Sequence, residues 1–256
     1  MRCSTQEVRV DCRWAAIYYP VMIIAMRPRR LALGFGFVLA LVLTFAACSS
    51  SGGSSEQDEG NLFPNGGFEE GRDPWFSLKP PDFISSQELA HSGQTSALLR
   101  MRDPPETNDV KVYYLVQEIT PDELPEVVSG WYRVEHWLKG TPKQYLQFVV
   151  IALGADNLPG DYTNYQIRYL LAGIEDPPFF IQNAHFVFID KEEPVLGEWV
   201  YFERNLREDF ERLWGAAPQN FEKLRILFEV RWDDKMPGSP AEADVYYDDL
   251  YIGPAR

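Results

Sequence analysis

From Asn61 onward, apolar and polar residues alternate in short runs, the two-residue period of strands that bury one face. Nine runs predict strands: Ala97–Met101, Val110–Ile119, Gly130–Leu138, Tyr145–Leu153, Tyr165–Leu171, His185–Asp190, Trp199–Leu206, Leu224–Trp232 and Asp244–Ile252. They are rich in Val, Ile, Tyr, Phe and Trp, and Pro, Gly and Asp clusters bound them. Arg207–Gly215 is the one stretch that predicts a short helix. Many strands at short spacing predict an all-β, two-sheet antiparallel sandwich spanning residues 61–256.

The N-terminal pattern is of another kind. Residues 31–47 carry no charge and follow Arg27, Arg29 and Arg30. They end in Phe45-Ala46-Ala47-Cys48, ahead of a Ser/Gly/acidic stretch over 48–60. A basic start, an apolar middle and a small-residue exit make a secretory signal, here residues 26–47. The Cys at its end resembles that of a bacterial lipoprotein, which implies lipid on Cys48 and a flexible tether holding the domain off the membrane. Phe45 stands where such signals more often have Leu, and a single transmembrane anchor is the alternative, at the short end of what can span. Met26 opens a normal signal, so residues 1–25 read as an extension upstream of the true start. Ser49 lacks the Asp linked to inner-membrane retention in lipoproteins of enterobacterial type, and the resemblance therefore implies the outer membrane, facing the periplasm or the exterior.

Charge and cysteine count narrow the function classes. The 256 residues hold 38 acidic and 24 basic side chains, a net of −14. Removing residues 1–47, with six Arg and two acids, leaves 36 acidic and 18 basic residues and a net of −18. That balance argues against nucleic acid and against adhesion to anionic lipid through a basic surface. Cys48 is the only cysteine left, so neither an intrachain disulfide nor a thiolate metal site can hold the domain.

Four segments in order resemble the carbohydrate-binding modules of the galactose-binding-like jelly-roll superfamily. They are Asn61-Leu62-Phe63-Pro64-Asn65-Gly66-Gly67-Phe68-Glu69-Glu70-Gly71 followed by Trp75, His91-Ser92-Gly93-Gln94-Thr95-Ser96-Ala97-Leu98, Val116–Ile119 leading to Ser129–Val134, and Ala243–Gly253. The stretch from Gly154 to Gly197 is longer than such modules have there, and reads as an added hairpin able to rebuild or cover a binding face. The resemblance implies a structural calcium where the first and last strands meet, with Glu69 and Asp248 as carboxylate ligands and carbonyls of the Ser92–Gln94 turn completing the shell. The alternative is that these acids cap turns or sit solvated.

A glycan site needs flat aromatic faces beside polar groups. In Gly130–Leu138, strict alternation puts Trp131, Arg133, Glu135 and Trp137 on one face and Tyr132, Val134, His136 and Leu138 on the other. Strand rise sets Trp131 and Trp137 about 20 Å apart. Neighbouring strands could add Tyr145 and Gln147, Gln166 and Arg168, and Glu229 and Arg231. The competing reading is that these Trp residues are core and that an Arg–Glu pair lies buried beneath the inserted loop. Trp75, Trp199 and Trp232 read as core.

Nothing marks an enzyme. Three His (His91, His136, His185) form no HExxH pair, and the chain has neither a Gly-x-Ser-x-Gly elbow nor a phosphate-binding glycine loop. The carboxylate pairs Glu69/Glu70, Asp233/Asp234 and Asp248/Asp249 are adjacent, and adjacent strand residues point to opposite faces. The sequence thus predicts a lipid-anchored protein that binds polysaccharide without turning it over. A structural or protein-interaction lipoprotein is the alternative, and a polysaccharide-degrading enzyme a more distant one.

Overall fold

A computed structural model describes residues 60–103, 111–234, 238 and 240–256; the signal segment, Cys48 and the tether up to residue 59 lie outside the described residues. Among the described residues, ten strands form two five-stranded sheets packed face to face, a jelly-roll sandwich, with one helix beside them. The first sheet has the order β1 (Ile84–Ser86), β2 (Ser96–Asp103), β10 (Ala241–Gly253), β4 (Val127–Leu138) and β8 (Trp199–Asn205). The second has β3 (Lys111–Ile119), β9 (Lys223–Trp232), β5 (Gln144–Leu153), β6 (Asn164–Ala172) and β7 (Ala184–Phe188).

All nine sequence-predicted strands are present. Two details differ. The three-residue strand β1 is too short and Ser-rich to show a period, and β7 runs parallel to β6, so the second sheet is mixed. The 154–197 stretch is more than a hairpin: β6 folds back antiparallel on β5, and a crossover over residues 173–183 then leads to β7. The helix α1 (Leu206–Trp214) begins where Asn205 accepts the Glu208 N–H and stops at left-handed Gly215. Leu206, Phe210 and Trp214, four residues apart, press one stripe of it into the core.

Inward side chains of both sheets interdigitate in one core, with Phe228 ringed by Phe63, Trp75, Phe148, Phe202 and Tyr247. Trp75 and Trp232 are buried there, as the sequence predicts. The opening segment seals the sandwich by lying along β10. Leu62 donates its N–H to Ile252, Leu250 donates to Gly66, and Asn61 bonds Leu250 and Ile252. Gly66 must be glycine for this approach, since a Cβ would stand 2.1 Å from the Leu250 carbonyl oxygen.

Two bulges interrupt the ladder between β4 and β10. Val134 pairs with Val245 and His136 with Asp244, leaving Glu135 as an extra residue. Trp131 pairs with Asp248 and Ser129 with Tyr251, so β10 carries one residue too many, at Asp249, whose φ is +48°. Each bulge resets which side chains face outward, and both lie beside the candidate site.

Candidate functional site

Trp131 sits on the outer face of the first sheet, opposite Tyr201 of β8. Cross-strand neighbours interact directly, and here the two rings lie 5.1 Å apart, tilted by 49°. His91, from the turn before β2, stacks on Trp131 with centroids 4.1 Å apart, and Trp199 meets His91 edge-on at 5.5 Å. Trp199 and Tyr201 thus extend the aromatic row on this face, and Trp199 is a correction to the core assignment. Its place was legible only from the pairing of β8 with β4.

The turn that carries His91 is fixed by carboxylates reaching it from both ends of the chain. Asp248 accepts the N–H groups of His91 and Ser92, and Asp249 bonds His91 Nδ1 at 2.6 Å and the Ser92 hydroxyl at 2.6 Å. Glu69 accepts from Gln94 and Thr95 and lies against Gly93, at φ +62°, where a Cβ would meet its carboxylate at 2.4 Å. Strict alternation would have sent Asp248 and Asp249 to opposite faces. The bulge at Asp249 is what brings both to one turn.

As calcium donors, Glu69 and Asp248 fall short. Both are turned onto backbone N–H groups, and among the described residues no three His, Cys, Asp or Glu stand together to hold a metal. Their evident work is to pin the turn.

Asp248 is fully buried. Burial first, then the neighbouring Asp249, pushes its carboxyl up to about 7, against the N–H bonds from His91, Asp249 and Ser92. The folded state therefore keeps a proton that the unfolded chain releases near its ordinary value of 3.8, and stability falls as pH rises between those two values. At about 1.4 kcal/mol per pKa unit, this one group removes up to about 4 kcal/mol across that window. Urea unfolding at several pH values is expected to show the wild type losing stability relative to Asp248→Asn as pH rises from 4 to 8. Parallel curves would remove the claim.

A pocket of about 590 Å³ opens beside this row, lined by Trp131 and Tyr201, by Glu69, Glu70, Ser92 and Asp249, and by residues of the opening and closing segments, including Asn61, Asn65 and Arg256. Its size is that of a small-ligand cleft. Tyr201 is 48% exposed, Trp131 half-buried and Glu70 exposed.

The other residues of the sequence-predicted face do not join it. Arg133 shares the outer face, paired with the exposed Glu135. Beyond the bulge the alternation reverses, so His136 turns outward to Glu242 at 2.8 Å while Trp137 turns inward and packs on the core. The Trp137 indole N–H bonds Glu193 of the connection between β7 and β8 at 2.7 Å. Tyr145 belongs to the second sheet and is fully buried.

Around Tyr145, the outer face of the second sheet carries the competing arrangement that the sequence admits. Tyr145 donates to Asp233, Arg231 bonds Asp233 at 3.0 Å and approaches Glu229 at 3.5 Å, Gln147 donates to Glu229, and Arg168 bonds Gln166. The crossover roofs this network. Phe179 lies 5.4 Å from the Arg168 guanidinium and 5.5 Å from that of Arg231, with Phe186 edge-on to it. Burial works against the charge of Arg231, but Tyr145, Glu229 and Asp233 outweigh it and hold its pKa above the usual value, while burial pulls Arg168 below. Gln147 Oε1, Arg168 Nη1 and Arg231 Nε have no protein partner.

No protein-family model matches the chain, and no curated protein does. Among solved structures, a CBM61 module in complex with β-1,4-galactotriose matches at 14% identity over 75% of this chain and 97% of its own, with a TM-score of 0.41. The C-terminal family 22 carbohydrate-binding module of Clostridium thermocellum Xyn10B matches at 14% over 77% and 95%, with a TM-score of 0.42. A β-1,2-glucanase from Parabacteroides distasonis matches at 16% over 72% of this chain and 22% of its own, with a TM-score of 0.39. Likenesses this distant carry no argument about function, which rests on the geometry of the pocket.

Proposed function

We propose that this chain is a non-catalytic carbohydrate-binding protein whose ligand sits in the Trp131–Tyr201 pocket. The observation that supports it is the corner made by those two rings in the wall of an open cleft whose remaining lining is mostly polar. An aromatic ring covers the apolar face of a pyranose, and carboxylates, amides and hydroxyls take its hydroxyl groups as hydrogen-bond partners. Glu69 and Asp249 are committed as acceptors in the turn, an arrangement that favours holding a ligand over transferring protons to it. Calcium forms no part of this reading.

Affinity electrophoresis through a panel of soluble polysaccharides is the test. One glycan is expected to retard the protein, and Trp131→Ala to weaken that retardation at least tenfold, about 1.4 kcal/mol or more, with the circular-dichroism spectrum unchanged. Retention unaffected by Trp131→Ala and Tyr201→Ala would move the site elsewhere. A structural role on the same fold is the second reading, favoured by the sealed network around Tyr145, and retardation by no glycan would make it the better one.

Lipid on Cys48 would tether the domain to the membrane on its extracytoplasmic side, the outer membrane being the proposed location. The support is the sequence pattern that ends at that Cys. Cys48→Ser is expected to release the protein from the membrane fraction into the soluble one; unchanged membrane association would overturn lipidation.

A further inference from the structure

We infer that the sugar seated in the pocket bears a protonated amine, so that the preferred ligand class is a 2-amino-2-deoxy glycan with free ammonium groups. This rests on the reading of the pocket as a glycan site. Two independent features of its wall carry it.

The first is charge. Glu69, Glu70 and Asp249 line the pocket against one cationic side chain, Arg256, whose guanidinium lies 3.4 Å over the Tyr251 ring. The Glu69 and Asp249 carboxylates hold the turn, but the Glu70 carboxylate has no protein partner among the described residues, and it is exposed at the pocket. The wall is therefore short of cations, in a chain whose net charge is −14 and whose field draws cations in. An anionic glycan such as a polyuronate meets repulsion at the same wall.

The second is the aromatic corner. Trp131 and Tyr201 present electron-rich faces at 49° to one another, the surface to which an ammonium group beside an apolar ring face is attracted. His91 backs Trp131 and is itself held by Asp249, so the corner keeps its shape when empty. A neutral sugar uses the rings and hydroxyl hydrogen bonds, with no charge to set against the carboxylates. An amino sugar uses the rings and the carboxylates together.

The experiment is titration calorimetry of the full chain, solubilised in mild detergent, with a glucosamine tetramer and with its fully N-acetylated counterpart at one mildly acidic pH. Acetylation removes the charge and leaves the ring. The free-amine tetramer is expected to bind at least about tenfold more tightly, with an affinity that falls as salt rises. Glu70→Gln should take back about three- to fivefold of that advantage, weakening the free-amine tetramer more than the N-acetylated one, as befits an exposed pair. Equal or tighter binding of the N-acetylated tetramer, or indifference of the free amine to Glu70→Gln and to salt, overturns the inference while the glycan reading stands. Binding of neither tetramer, with no retardation by any polysaccharide, overturns both.

Discussion

Replacing Phe228 by alanine is expected to cost about 3–5 kcal/mol, a large share of the roughly 5–15 kcal/mol that a domain of ordinary stability has. Phe228 is fully buried, and its ring lies within 6.3 Å of five others that come from both sheets and from the opening segment. Phe148 and Phe228 belong to the second sheet, Phe202 and Tyr247 to the first, and Phe63 and Trp75 to the segment that closes the end. No single neighbour can fill the space, because each is anchored by its own strand or turn. Urea unfolding should show a lower midpoint with an unchanged denaturant dependence. A loss below about 1.5 kcal/mol would mean that the aromatic cluster collapses into the gap and is less rigidly packed than its geometry states.

The sealed face of the second sheet supports the other large effect. Arg231→Met leaves Glu229 and Asp233, both buried, without the guanidinium that sits between them. Removing one partner of a buried ionic set costs about 3–5 kcal/mol, because the stranded charges must be neutralised or hydrated. Replacing the carboxylates as well, in Arg231→Met/Glu229→Gln/Asp233→Asn, should recover most of that loss, since the charges that demanded the guanidinium are gone. If the triple variant is as unstable as the single one, the cost lies in the packing of the Arg231 stem under Phe179 and not in charge. Unfolding of the two variants beside wild type at neutral pH measures the difference.

Strand positions and the core aromatics Trp75 and Trp232 could be read from the sequence because a buried face imposes a period of two that survives any change of partner. The faces could not be followed past residues 135 and 249. A bulge needs no special residue at Glu135, and Asp249 carries only the mild hint that Asp tolerates a left-handed backbone. From those two points, strict alternation misplaced Trp137 and separated Asp248 from Asp249. Tyr145 was assigned to the Trp131 face because sheet membership depends on long-range order: Gln144–Leu153 pairs with β9 and β6, and nothing local distinguishes that from pairing with β4. The outward direction of Trp131 was legible, since it lies before the bulge in its own strand. Tyr201 and Trp199 were not, because their value comes from the strand across which they look. The closing of the Tyr145 network was half legible: the length of the 154–197 stretch announced a cover, but only the fold shows Phe179 lying over the two guanidiniums.

The extra residue in β10 has a consequence for descent. On either side of Asp249 the strand keeps its own alternation, with Tyr247, Leu250 and Ile252 inward and Asp248 and Tyr251 outward. Loss of that one codon would straighten the ladder without exchanging a single inward residue, and would delete the carboxylate that braces His91 and, through it, Trp131. The sandwich and the pocket are thus separately heritable. A lineage can shed or acquire the brace on this aromatic corner by a one-residue step in its last strand while the same interior is passed on unaltered.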